Sequence, residues 1–405
     1  MGTDVRGPAG SSGPGTAGRL LAPDLARGAM LALIAVANVM IYLHDRPYGL
    51  RQHVVEDGAV DRAVTAVLVT AVDARAYPMF AALVGYGLVT AAKRERDRGA
   101  DAARVRAALR RRSWALLAVG LIHALAAFSG DVLGWYGLLG LVLAGGLRLR
   151  DRTLLVLAAA WLAVAGTAQG MVYADPQVRT QRTYLWSFAI ADPVEAAGWR
   201  LLEWVMTPVG LLAVLSPMLV GVWAARRRVV ERPLTHRALL RRTAVIGTTA
   251  GLLGGVGMAL ATAHVWAPPS PVLVAASAVH VVTGVLGGLG YAALMTLAAD
   301  RLQTRRDGRP LPRVVEALRA TGARSLSCYL AQSVVFAALL PAWSLGWGAT
   351  LGTAGASLLA LGTWAATVVA ADAAARRGRR GPAEVLLRHL ARERTRPVRR
   401  RATIG

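Results

Sequence analysis

Ten stretches of this chain are apolar for the 17–25 residues, roughly, that a helix needs to cross a bilayer. They fall at residues 25–43, 74–92, 113–129, 131–147, 153–173, 205–225, 243–265, 271–299, 322–341 and 349–371. The pattern predicts an all-α, polytopic integral membrane protein of about ten transmembrane helices. The connections test that count, because cytoplasmic loops collect Lys and Arg. With the N-terminus inside, the inner segments are 1–27, 93–112, 148–152, 226–242, 300–321 and 372–405, and they hold 39 of the 47 basic residues. The outer segments hold six, and Arg75 and Arg324 lie in or beside spans. Dropping or adding one span would invert every later loop and destroy this alternation. An even count with N- and C-termini cytoplasmic follows.

Two segments depart from the simple pattern. Residues 59–72, AVDRAVTAVLVTAV, are apolar but too short to cross before Asp73 and Arg75 interrupt them. They read as an interfacial or re-entrant helix, or as the outer half of one long broken helix. Residues 174–204 form the one long outer loop and carry Tyr184, Trp186, Phe188 and Trp199. Such aromatics suit a helix lying in the headgroup region, with a substrate lid as the alternative. Flanking the transmembrane domain at 19–371, residues 1–18 are Gly/Pro/Ser-rich and read as a disordered leader, and 372–405 as a basic cytoplasmic tail.

Composition changes the picture only once charge is placed. The net charge is +24 and 55% of residues are apolar, with a mean hydropathy of +0.44 and a pI near 11.6. Charge of that sign usually points to phosphate-bearing partners. Here arginine gathers at every predicted inner face rather than on one surface, so topology and anionic lipid explain it better than nucleic acid. The expected partner is the lipid bilayer, with anionic lipids at the inner face. The lone cysteine, Cys328, cannot form an intramolecular disulfide.

Polar side chains inside spans cost about 2.5–3.5 kcal/mol per charge, so those present are the functional candidates. In the first span Asp24 is placed to cap the helix N-terminus, Arg27 lies one turn on, and Asn38 falls toward the outer half. His123 sits about 15 Å deep in the third span. Asp131 follows the tight turn FSG at the start of the fourth. A carboxylate beside an imidazole is what general-base catalysis needs, although their difference in depth leaves direct contact open. His280 lies at similar depth in the eighth span, and the ninth carries Ser325, Ser327, Tyr329 and Gln332. Tyr329 and Gln332 share a face, where interhelical hydrogen bonding is the alternative to substrate binding. The first outer loop holds His44, His53, Asp45, Glu56, Asp57 and Asp61. No metal-ligand spacing supports a site there, and a solvated loop is expected. GLLGGVG and GVLGGLG read as helix-packing faces rather than phosphate cradles, and no Walker-type loop is present.

The order of PDLARGAMLALIAVANV, FAALVGYGL, RRRSWALLAVGLIHALAAFSGDVLGWYG, GARSLSCYLAQS and RGPAEVLLR resembles the YeiB-like bacterial membrane proteins, the family of domain of unknown function 418. Five collinear motifs carry the resemblance over nearly the whole chain. It implies Asp24, Arg27, Asn38, His123, Asp131, Tyr136, Tyr329, Gln332, Ser333, Gly381, Pro382, Glu384 and Arg388 as family positions, with Cys328, Val84 and Val385 as departures. The family is distantly similar to multi-helix transmembrane acyltransferases, including the lysosomal heparan glucosamine N-acetyltransferases. By that analogy His123, Asp131 and Asn38 are the catalytic candidates, and Asp24, Arg27, Tyr136, His280, Tyr329 and Gln332 bind substrate. Acyl-CoA would be the donor, its phosphates on inner arginines, in a bacterial plasma membrane. A secondary transporter for a small solute and a non-catalytic membrane protein are the alternatives.

Overall fold

The computed structural model describes residues 20–146, 148–210, 212–305 and 309–391; the expected leader and the tail from residue 392 lie outside them. Among the described residues every regular element is helical, apart from one isolated bridge between Tyr48 and Val54. The order is α1 (Leu21–Val39), α2 (Ala59–Ala71), α3 (Ala76–Asp97), α4 (Ala102–Ala126), α5 (Val132–Gly146) and α6 (Asp151–Met171). There follow α7 (Pro193–Gly210), α8 (Leu215–Arg226), α9 (Arg237–Arg242), α10 (Thr248–Thr262) and α11 (Ser270–Arg305). The chain ends in α12 (Arg313–Ala323), α13 (Ser325–Leu339), α14 (Thr353–Arg376) and α15 (Pro382–Leu390). A π-helical turn, Thr243–Gly247, joins α9 to α10.

Among the described residues six helical stretches are long and apolar enough to cross a membrane: Leu21–Tyr42, Ala59–Asp97, Asp151–Ala174, Arg237–Thr262, Ser270–Arg305 and Thr353–Arg376. A seventh is the pair α7 and α8, bent by 45°. The cores of α5 and α13 are apolar but shorter, and α4 carries Arg110, Arg111 and Arg112 ahead of its apolar half. Each apolar stretch of the sequence therefore lies on helix. Large apolar side chains such as Ile122, Val142, Leu253, Leu358 and Val369 point outward and are each at least 66% exposed. Large apolar side chains left open on so many helices suit a lipid-facing or partner-facing wall.

The central helix is α1, whose Met30, Leu31, Ile34, Ala35 and Val39 are all essentially inaccessible. It packs against α3, α11, α12, α13 and α14, as a helix apolar on all sides must. Backbones approach closely where side chains vanish: a Cβ at Gly322 of α12 would collide with the Asp24 carbonyl of α1. The glycine runs of α10 and α11 do the same for each other, with Gly251 against Gly287, so they are packing faces.

Hydrogen bonds tie the connections into two ends. At one, rich in arginine, Arg226 and Arg227 reach Asp151, and Arg324 donates to the Arg379 carbonyl. At the other, the Glu56 carboxylate accepts from the Thr353 amide at 2.7 Å and Asp61 from the Ala354 amide at 2.7 Å. These two carboxylates meet the exposed amides at the start of α14. The first connecting loop is thus not solvated as expected: His44, His53 and Glu56 are all under 9% exposed, and His44 and Glu56 bond to Leu340 and Thr353, 296 and 297 residues further along the chain. Asp24 is a further correction. Leu20 is the N-cap of α1, and Asp24 sits inside the first turn, where it accepts from Arg27 at 3.0 Å.

Candidate functional site

The clearest chemistry lies at the end opposite the arginine-rich one. His123 is on the last turn of α4, and Asp131 immediately precedes α5. The reversal through Phe128, Ser129 and Gly130 brings them together. His123 Nδ1 lies 2.8 Å from Asp131 Oδ1, with the side chains 3% and 0% exposed. Asp131 Oδ2 accepts from the Gly134 amide at 2.7 Å, so the carboxylate also caps α5. The anticipated depth mismatch disappears because the turn lowers Asp131 to the level of the imidazole. A carboxylate on Nδ1 fixes the proton there and leaves the Nε2 lone pair as the basic position. Nε2 is buried and meets no protein hydrogen-bond partner.

One other candidate stands against the pair, and three more lie on neighbouring helices. The Tyr329 ring of α13 is 5.1 Å from the His123 ring, centroid to centroid, and its buried hydroxyl makes no hydrogen bond. Gln332, one turn on, donates from Nε2 to Thr367 at 3.3 Å and leaves Oε1 buried without a partner. Asn38 Oδ1 accepts from the Tyr77 hydroxyl, and the Tyr136 hydroxyl donates to the Tyr77 carbonyl at 3.3 Å. Tyr77, which the sequence reading passed over, therefore links α1, α3 and α5. Its signal was there: a tyrosine at the start of a span facing an asparagine near the end of another.

An aromatic plug covers this site. Tyr42, Phe128, Phe188 and Phe336 stack with centroids 4.4–6.1 Å apart, and Phe128 also meets His123 at 6.2 Å. Phe188 comes from the long loop expected to lie in the headgroup region, and it is completely buried. Its segment is pinned by the buried Glu203, which accepts from the Ser187 amide at 2.8 Å and from the Ser187 and Ser129 hydroxyls. The last part of that loop, from Pro193, is the start of α7, one arm of the bent pair. An apolar groove of about 430 Å³ runs along α2, lined by Ala59, Val60, Ala63, Val64 and Val67, and contains none of the site residues.

His280 belongs elsewhere. It lies at the break between α2 and α3, where Ala74 has φ +57°. Arg75, fully buried, fills that break: Nη1 donates to the Val69 carbonyl at 3.2 Å and the Asp73 carbonyl at 2.5 Å, and Nη2 to the Gly251 carbonyl. Nη1 also lies 3.2 Å from the His280 ring nitrogens. Asp73 is clamped by both arms of Arg51. Residues 59–71 thus form one arm of a broken helix with α3, as one of the two readings of that segment has it. Nearby, burial pushes the His53 imidazole down to about 4, Asp73 opposing and Arg51 reinforcing. The unfolded chain takes this proton near 6.5 and the folded chain resists until about 4. Stability from this group is full above pH 6.5 and falls by about 1.4 kcal/mol per unit below it. Thermal unfolding at pH 7 and pH 5 should show this acid loss shrinking in His53→Gln.

Asp24 and Arg27 sit at the other end of the bundle, about 21 and 17 Å along α1 from Asn38. They do not join the His123 group. The charges acting on Arg112 of α4 are Arg27 and Arg94, and those acting on Tyr86 are Glu231, Arg228 and Arg27. Two candidate regions therefore exist, one cationic and one holding the imidazole. Among the described residues no group of three metal-ligating side chains forms. Glu384, implied by the closing motif, is architectural: it accepts from the Leu326 and Ser327 amides at 2.9 and 3.3 Å and caps α13.

Residues 224–394 match the family model described as protein of unknown function (DUF418), the family that the five motifs resemble. The matched part runs from the end of α8 through α15 and includes Tyr329, Gln332 and Glu384, whereas His123 and Asp131 precede it. No curated protein matches the chain.

Proposed function

We propose, from a helical chain that carries this family match and six membrane-length helices, a ten-span protein of the bacterial plasma membrane with both termini in the cytoplasm. The ten are the six long stretches, the bent pair α7 and α8, the shorter α5 and α13, and α4 with its leading arginines. The arginine-rich end is then cytoplasmic, and anionic lipid is its neighbour. Its activity is transfer of an acyl group from cytoplasmic acyl-CoA to an envelope acceptor.

The observation that carries this reading is the buried His123–Asp131 pair with its free Nε2. In the reaction an acceptor hydroxyl or amine attacks the thioester carbonyl while Nε2 takes its proton. The new C–O or C–N bond forms as the C–S bond breaks, and the imidazolium returns the proton to the CoA thiolate. Asp131 stabilises the imidazolium, a contribution of the kind that gives general-base catalysis about 10²–10⁴-fold. The Tyr329 hydroxyl and Gln332 Oε1, both without partners, contact the reacting groups. Asn38, Tyr77 and Tyr136 hold the wall opposite. On the cytoplasmic side Arg27, Arg94 and Arg112 bind the CoA phosphates as charge-assisted hydrogen-bond donors, with Asp24 orienting Arg27. Purified protein in vesicles, given radiolabelled acetyl-CoA and an envelope extract, should move label to the acceptor. His123→Ala should abolish that movement; undiminished transfer would remove His123 from the mechanism.

A second reading draws on a different observation. The broken helix at Arg75 and the bent pair α7 and α8 are the discontinuities that transporters place at a solute path. Uptake driven by a proton gradient in the same vesicles, with no label transferred from acetyl-CoA, would favour transport.

A further inference from the structure

We infer that α15, with the arginines that precede it, is a membrane-surface anchor that lies on anionic lipid headgroups at the arginine-rich end of the bundle. The inference rests on the membrane placement of the helices and not on acyl transfer. It begins from how little holds α15. No residue of this nine-residue helix is buried. It packs on α4 and α13, and its polar attachment is one carboxylate: Glu384 accepts from the Leu326 and Ser327 amides and, at 2.5 Å, from the Ser327 hydroxyl. The Ala383 amide donates back to that hydroxyl at 3.0 Å. The fit needs Gly381, where a Cβ would run into the Glu384 carboxylate.

This attachment fixes which way the rest of α15 faces. Val385, Leu386 and Leu390 are 48–50% exposed. At 100° per residue they and His389 share an arc of about 140°, away from Glu384. Charge borders that stripe. Between residues 376 and 391 stand Arg376, Arg377, Arg379, Arg380 and Arg388, against Glu384 alone, and Glu384 is committed to α13. The sequence continues with Arg392, Arg394, Arg396, Arg399, Arg400 and Arg401, against Glu393. An apolar stripe edged by cations is the composition of a helix that lies in the headgroup plane, and the positive excess selects anionic lipid.

Position supports the same occupant. The clasp with Glu384 puts the start of α15 against the first turn of α13, an apolar helix. Pro382 also follows the end of α14, a membrane-length helix, by only six residues. The helix is therefore held at the level where apolar spans end and headgroups begin. A cytosolic protein partner would meet a stripe already at the lipid boundary.

The test places a spin label at position 386 with Leu386→Cys in a Cys328→Ser background. The full chain is reconstituted into phosphatidylcholine vesicles with and without phosphatidylglycerol. Collision with oxygen against a water-soluble nickel chelate reports depth, whatever the activity of the protein. The expected result is several-fold preference for oxygen in the anionic vesicles and a smaller preference in the neutral ones. Leu390→Cys should report the same depth, which guards against local damage at one site. Nickel preference in both vesicles overturns the inference. Equal oxygen preference in both overturns the assignment to anionic lipid, and dipolar broadening with exclusion of both reagents would instead identify a second copy of the chain as the occupant.

Discussion

Asp131→Asn is expected to lower acyl transfer by about 10²–10⁴-fold while leaving the chain folded. The asparagine oxygen can still accept from the Gly134 amide, as Asp131 Oδ2 does at 2.7 Å, so the cap on α5 survives. The amide nitrogen then faces His123 Nδ1, which lies 2.8 Å from the native carboxylate. A donor there makes Nδ1 the acceptor and moves the ring proton to Nε2, the nitrogen that must be basic. Asp131→Ala should behave differently. It removes a cap worth about 0.5–2 kcal/mol and strands a buried N–H at a cost of about 1–3 kcal/mol. Acetyl-transfer rates beside thermal midpoints in detergent separate the two variants. Asn should lose rate at a nearly native midpoint, and Ala should lose both.

Arg75→Met should destabilise the protein by about 3–5 kcal/mol, the scale for removing one side of a buried charged network. The guanidinium has no accessible surface and is bonded to carbonyls of α2, of the α2–α3 break and of α10. Methionine fills the volume and leaves those carbonyls unpaired. Lysine should not restore the midpoint, because one ammonium cannot span the geometry that a planar fork of donors reaches. The effect should extend to the site, since Tyr77 begins α3 two residues beyond Arg75 and donates to Asn38. Unfolding midpoints of Arg75→Met and Arg75→Lys check the stability claim.

What the chain reveals of itself follows the range of its interactions. Apolar stretches are local in sequence, and each lies on a helix. Pairing of His123 with Asp131 was within reach because eight residues and one turn separate them. Arg75 was harder, since in sequence it is a lone cation interrupting an apolar run. Its meaning depends on Gly251, on a helix far along the chain. The hint was the run Asp73-Ala74-Arg75 between two apolar halves, which marks a break that needs its carbonyls satisfied. Glu56 and Asp61 looked like solvated loop acids because the amides they cap belong to α14. Phe188 looked like a headgroup aromatic because nothing nearby in sequence says that Tyr42 and Phe128 wait for it. A similar depth for His280 and His123 was no guide to their pairing, as depth does not tell which helices face each other.

The whole account requires that the arginine-rich end and the Phe188 loop lie on opposite sides of a membrane. Single cysteines at Gln177 and Arg377, both exposed, in a Cys328→Ser chain measure this with an impermeant maleimide on intact cells. Gln177→Cys should label at once, and Arg377→Cys only after the membrane is opened. Labelling of both positions on intact cells would contradict the topology, and with it the assignment of donor and acceptor sides.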